Sequence, residues 1–130
     1  MTTDELLGRK DTKLSFIVAD DVDFICDSIE SILKKGKHEC LAKVNNGLQL
    51  LAEIEKAAPD VIFLDINMPE MDGLTALEKI QKQGLNVKVI MVSADSSTET
   101  KEKAIELGAI GYITKPFLPE HIETVIKTME

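Results

Sequence analysis

The apolar residues of this chain alternate between two periods, and that alternation limits the possible folds more than any other feature. Leu14-Ser15-Phe16-Ile17-Val18-Ala19 is a short β-prone run that ends at two acids, Asp20 and Asp21. Ile25, Ile29, Ile32 and Leu33 then fall at helical spacing, with Gly36 as a stop. A weaker strand around Cys40 to Val44 is turned by Asn45-Asn46-Gly47, and Leu48, Leu51 and Ile54 mark a second helix. Val61-Ile62-Phe63-Leu64 is a continuous apolar strand ending in Asp65, and a loop from Ile66 to Gly73 leads to a helix carrying Leu74, Leu77 and Ile80. Val87 to Val92 reads as a buried strand ending at Ser93. Ala104 and Leu107 mark a helix closed by Gly108. Ala109 to Thr114 is the last strand, and Ile122, Val125, Ile126 and Met129 line the last helix.

Five strands thus alternate with five helices. Short apolar strands separated by single amphipathic helices require a parallel sheet covered on both faces, and right-handed crossovers make it doubly wound. The fold class is α/β. A chain of 130 residues has room for one such core. Residues 1–12 read as a short polar tail and residues 13–130 as the domain, with no repeat or interior linker. One Tyr and no Trp leave the core to Ile, Leu, Val and Ala.

Several function classes fall away on composition. No apolar run reaches the roughly 20 residues of a membrane span, and the start lacks the apolar region of a signal peptide, so a cytoplasmic protein is expected. The net charge of −8 repels nucleic acid and anionic lipid. Cys26 and Cys40 fall inside regular elements without a CxxC pattern and read as free thiols. His38 and His121 stand too far apart for a histidine metal site.

In a doubly wound sheet, ligands bind beyond the carboxyl ends of the strands. Those ends offer Asp20 and Asp21, then Asp65, Ser93 and Lys115. Each has a structural use of its own: Asp20 or Asp21 as a helix cap, Ser93 as a turn hydroxyl, Lys115 as a solvated charge, with Met68 and Met71 packing nearby. Together they suggest chemistry. Three clustered carboxylates repel one another, and hard oxygen donors without His or Cys suit Mg²⁺. The cation, Lys115 and the Ser93 hydroxyl could then meet a phosphoryl group, and one carboxylate would be its acceptor. Spacing does not select which. Asp65 is favoured because its strand is the middle one of the five and follows four apolar residues.

Four stretches closely resemble the receiver domain of bacterial two-component response regulators, of the CheY-like type. They are Ile17-Val18-Ala19-Asp20-Asp21; Asp65-Ile66-Asn67-Met68-Pro69-Glu70-Met71-Asp72-Gly73; Val92-Ser93-Ala94; and Gly108-Ala109 leading to Tyr112-Ile113-Thr114-Lys115-Pro116-Phe117. The resemblance runs from about residue 13 to the C-terminus. It implies a three-layer flavodoxin/CheY-like sandwich with strand order 2-1-3-4-5. It implies that Asp65 accepts a phosphoryl group from a phosphohistidine of a sensor histidine kinase or histidine phosphotransfer protein. Asp20, Asp21, Asp65 and the carbonyl of Asn67 would hold Mg²⁺, and Ser93 and Lys115 would bind phosphate oxygens. Tyr112 would be the aromatic switch, the Lys115–Pro116 bond would be cis, and Asn67 and Asp95 would tune dephosphorylation. The surface of the fourth helix, last strand and last helix would then signal to a downstream protein. Such a domain assists its own phosphorylation and dephosphorylation but is no enzyme in the usual sense, and it is expected to be a monomer when unphosphorylated.

The chain ends at Glu130, soon after the last helix, which fits either a stand-alone regulator or a receiver cut from a longer regulator; the start at Met1 favours the stand-alone reading, with a flagellar motor as one partner. Three rivals fit less well. A phosphatase of the haloacid-dehalogenase kind needs a second acid two residues after its nucleophile, where this chain has Asn67. An FMN carrier would not place Asp20, Asp21 and Asp23 in its phosphate loop. A phosphorylation-independent binding module usually lacks one of the acids or the lysine, and all are present here.

Overall fold

The computed structural model describes residues 13–129, so the tail expected over residues 1–12 lies outside the described residues, as does Glu130. The elements are β1 (Ser15–Ala19), α1 (Asp23–Lys35), β2 (Glu39–Val44), α2 (Gly47–Lys56), β3 (Val61–Leu64), α3 (Gly73–Lys82), β4 (Lys88–Ser93), α4 (Thr98–Glu106), β5 (Gly111–Thr114) and α5 (Pro119–Lys127). The strands form one parallel sheet in the order β2-β1-β3-β4-β5, the doubly wound arrangement that the alternation requires.

Side chains of period 2 divide the sheet into two cores. Phe16 and Val18 on β1, Val61 and Phe63 on β3, and Ile90 and Val92 on β4 face Cys26, Ile29 and Leu33 of α1 and Ile122 and Ile126 of α5. Phe16 and Phe63 meet edge to face, with ring centroids 6.4 Å apart. On the other face, Ile17, Ile62, Leu64, Val89 and Met91 pack against Leu50 and Ile54 of α2, Ala76, Leu77 and Ile80 of α3, and Ala104 of α4. The adjacent strands β1 and β3 therefore send their following helices to opposite faces. That divergence opens the crevice at the carboxyl edge, with Asp20 on one side and Asp65 on the other.

The second helix departs in detail from the expected pattern. Its buried face is Gly47, Leu50 and Ile54, and Leu48 is 52% exposed. The Asn46 side chain accepts the Gln49 N–H at 2.9 Å and starts the helix at Gly47, which turns Leu50 instead of Leu48 toward the sheet. The first helix stops at Gly36 as expected, but the left-handed residue is Lys37, with φ 64°. Both cysteines are free. Among the described residues no helix is long and apolar enough to cross a membrane.

Gly73 starts α3 where no side chain fits. A Cβ there would overlap the Asp65 carbonyl oxygen, because the Gly73 N–H bonds the Ile66 carbonyl at 2.7 Å and draws α3 onto the end of β3. Gly73→Ala should therefore cost about 3 kcal/mol or more in urea denaturation, since backbone must move. Gly84→Ala, at φ +66° with nothing within 4 Å, should cost only about 1–2 kcal/mol of left-handed strain.

Candidate functional site

Backbone pairing continues past the ends of the two central strands and fixes the two buried acids. The Asp20 N–H donates to the Val44 carbonyl at 3.0 Å, and the Asp65 N–H donates to the Ala19 carbonyl at 2.9 Å. Asp20 and Asp65 are almost fully buried, whereas Asp21 is exposed. Each of the three offers a carboxylate oxygen, and these oxygens lie within 4.8 Å of one another. Asp20 is not a helix cap. Its Oδ1 accepts the Val22 N–H at 2.9 Å, and Val22 is the N-cap of α1, without a side-chain cap bond.

Lys115 enters from β5. Its N–H donates to the Ser93 carbonyl at 2.8 Å, and the peptide bond to Pro116 is cis. The ammonium lies 2.6 Å from Asp20 Oδ2 and 3.4 Å from Asp65 Oδ2. Asp20 Oδ2 is buried and makes no aligned hydrogen bond among the described residues, so this ion pair is what balances it. Asp65 Oδ1 accepts the Ile66 N–H at 2.8 Å. Ser93 is fully buried, and its Oγ accepts the Asp95 N–H at 3.1 Å; the α4 cap is Ser97.

Tyr112 is half-buried against the α2–α4 side of the sheet, and its hydroxyl donates to the Asp95 carbonyl at 2.5 Å. Burial pushes its phenol pKa up, and the Ser93 hydroxyl partly opposes that shift. Asn67 lies exposed in the loop after Asp65. The Asp95 carboxylate is bound by Ser97 and Thr100, which hold its pKa below the ordinary value. The structure thus brings Asp20, Asp21, Asp65 and Lys115 together, with Ser93, Asp95 and Tyr112 forming a linked group beside them.

One residue of this edge escaped sequence reasoning. The sequence marks Asn45 only as a turn former, but its Nδ2 donates to the Asp20 carbonyl at 3.1 Å and to Asp23 Oδ1 at 3.0 Å. It ties the loop that carries the first two acids to the end of β2. The strand-end rule, applied to the second strand, would have pointed to it.

Electrostatics favour a cation here. Burial, then the charge of Asp20, pushes the Asp65 carboxyl up to about 6, with Lys115 pulling the other way. Burial acts to lower the Lys115 ammonium pKa, but the bond to Asp20 and the charges of both acids outweigh it and raise the value overall. Asp20 and Asp65 share the Lys115 ammonium, Asp21 adds a third carboxylate nearby, and among the described residues Asp20 Oδ2 has no other partner. A donor set of hard oxygens with excess negative charge fits a divalent metal.

The raised pKa has a stability consequence. In the chelator-treated protein, folding favours protonated Asp65, so this contribution is full below about pH 4 and is lost as pH rises through about 6. Asp65→Asn removes the titration. The variant should be more stable than wild type at pH 7.5 in EDTA by about 2–3 kcal/mol, and the gap should close toward pH 4, as read by urea denaturation.

Comparison with known proteins agrees with this geometry. A family model described as the response regulator receiver domain matches residues 16–127. The chemotaxis protein CheY of Listeria monocytogenes is 38% identical over 109 residues, which span 84% of this chain and 92% of that one. A probable C4-dicarboxylate response regulator, DctR, of Bacillus subtilis is 35% identical over 123 residues, spanning 93% of this chain and 53% of its own length. The crystal structure of a DNA-binding response regulator of the LuxR family from Staphylococcus aureus matches with a TM-score of 0.83 at 35% identity, covering 90% of this chain and 99% of that one. With the sheet order, the acid cluster and these matches in agreement, the chain belongs to the response regulator receiver domain family and is CheY-like.

Proposed function

We propose that Asp65 accepts a phosphoryl group from the phosphohistidine of a sensor histidine kinase or histidine phosphotransfer protein, and that the aspartyl phosphate changes the surface made by α4, β5 and α5. The observation that carries this reading is the buried Asp65 carboxylate beside Asp20 and the Lys115 ammonium at the sheet edge. In the transfer, a carboxylate oxygen of Asp65 forms the new O–P bond, the N–P bond of the donor breaks, and the imidazole leaves with the electron pair. Lys115 faces the charge that develops on the phosphoryl oxygens, and the Ser93 hydroxyl donates to one of them. Asp20, Asp21, Asp65 and the Asn67 carbonyl would hold Mg²⁺. When bound, that ion neutralises charge on the incoming phosphoryl group.

The new phosphate would accept the Ser93 hydroxyl proton, and drawing Ser93 toward it would stretch the bond that its Oγ accepts from the Asp95 N–H. Tyr112 sits next in line, with its phenol bonded to the Asp95 carbonyl, so a shift of Ser93 is felt at β5 as a change in population between two states. Asn67 and Asp95 flank the route by which water would reach the phosphate and set its lifetime. We read the chain as a cytoplasmic signalling domain that acts on a protein partner, monomeric before phosphorylation, and not as an enzyme with a turnover substrate. Its likeness to a chemotaxis protein CheY supports the first reading, a stand-alone regulator, with a flagellar motor as one partner. Its match to half of a longer response regulator favours the second reading, a receiver within a larger protein.

Incubation with Mg²⁺ and acetyl phosphate should add one phosphoryl group to the intact mass. The gain should need Mg²⁺ and vanish in Asp65→Asn. If neither a mass gain nor stable binding of beryllofluoride is seen, the acceptor reading is wrong. Lys115→Gln should slow acceptance by about 10²-fold, the cost of removing one donor aimed at developing charge. Ser93→Ala should still accept the group, but its α4, β5 and α5 amide shifts should stay near those of the unmodified protein. Shifts equal to wild type would remove Ser93 from the switch.

A further inference from the structure

Every polar group of Asp95 is occupied. Its N–H donates to Ser93 Oγ at 3.1 Å, and its carbonyl oxygen accepts the Tyr112 hydroxyl at 2.5 Å. Oδ1 accepts the Ser97 N–H at 2.9 Å, and Oδ2 accepts the Thr100 hydroxyl at 2.7 Å. An ionised carboxylate only accepts, so the Thr100 proton must point at Asp95. The Ser97 hydroxyl then donates to Thr100 Oγ1 at 2.9 Å, while Ser97 Oγ receives the Thr100 N–H at 3.3 Å. Thr100 lies in the first turn of α4, so this ring fastens the loop between β4 and α4 to a helix. The one carbonyl that the Tyr112 hydroxyl reaches belongs to that fastened loop.

We propose that Thr100 is a positioning residue for Tyr112: by holding the Asp95 carboxylate on α4, it keeps the Asp95 carbonyl where it anchors the tyrosine hydroxyl. The same contact, with the Ser97 N–H, occupies both oxygens of the Asp95 carboxylate. The inference deepens the receiver reading at its output end. It is tested on the unphosphorylated chain, so a failure of Asp65 to accept a phosphoryl group would leave it standing. What competes with it is packing: Tyr112 also lies against the core, with Lys101 Nζ 5.8 Å from its ring centroid. If packing alone holds the ring, Thr100 is irrelevant to it.

The chain has one Tyr and no Trp, so tyrosine fluorescence reports Tyr112 alone. Acrylamide is the suitable quencher because it is uncharged and not repelled by the net charge of −8. Thr100→Val keeps the β-branched shape and leaves Ser97 able to cap the Thr100 N–H, but it removes the hydroxyl. The ratio of released to anchored ring should rise about fivefold, the equivalent of one hydrogen bond of about 1 kcal/mol, and should be read as a larger quenching constant. Thr100→Ser should behave as wild type. Asp95→Ala alone should give the same rise, and adding Thr100→Val to it should give no more. The proposal is overturned by unchanged quenching in Asp95→Ala or in a folded Thr100→Val, or by a Thr100→Val effect of full size in the Asp95→Ala background.

Discussion

The Lys115 ammonium, held between two buried carboxylates, is the interaction on which the working edge of this protein depends. Among the described residues Asp20 Oδ2 is buried with no other partner, and Asp65 is buried beside it. Two anions brought this close out of water are costly to keep unless a cation sits between them. Lys115 supplies that charge from the far side of the crevice, so β1, β3 and β5 are tied together through side chains although β5 pairs with neither of the other two. The compensation is partial. Burial first, and then the charge of Asp20, still raises the Asp65 pKa, and an edge with more carboxylates than ammonium groups is receptive to a further cation.

The sheet makes this arrangement rigid. The acids follow strands whose last backbone bonds run on into Asp20 and Asp65 themselves, so neither acid hangs on a free loop. Asn45 pins the first acidic loop to the end of β2, and the contact of Gly73 with the Asp65 carbonyl clamps the third strand end to α3. A site built to hold like charges together needs such external constraint, because the charges would otherwise relax apart.

Beside that ion-paired edge the contacts are hydrogen bonds instead of ion pairs. Ser93, Asp95 and Tyr112 are joined by hydrogen bonds through one stretch of backbone, and the Asp95 side chain is fastened to α4. Under the proposed function, ion pairing at the acceptor edge and hydrogen bonds along the relay would suit separate tasks. The first would hold still, and the second would exchange one arrangement for another at a cost of a few kcal/mol.

The order of elements, the parallel sheet and the five strand-end residues were legible in the chain itself, because hydrophobic period and strand ends are local properties. Val61–Leu64 reads as a buried strand from four consecutive apolar residues, and the sheet buries all four. The choice between Leu48 and Leu50 on α2 was not legible, since it turns on which residue the Asn46 cap makes the first of the helix. Nor could the chain alone say that Asp20, and not Asp21, meets the lysine, that Asn45 grips the acidic loop, or that Asp95 turns to Thr100. Each of these joins residues from separate loops whose side-chain directions are fixed only once the sheet has set the strand ends side by side. The sequence by itself determined which chemical groups reach the carboxyl edge. The tertiary structure decided which of them touch, because hydrogen bonds and ion pairs depend on distances of a few tenths of an ångström that no local pattern encodes.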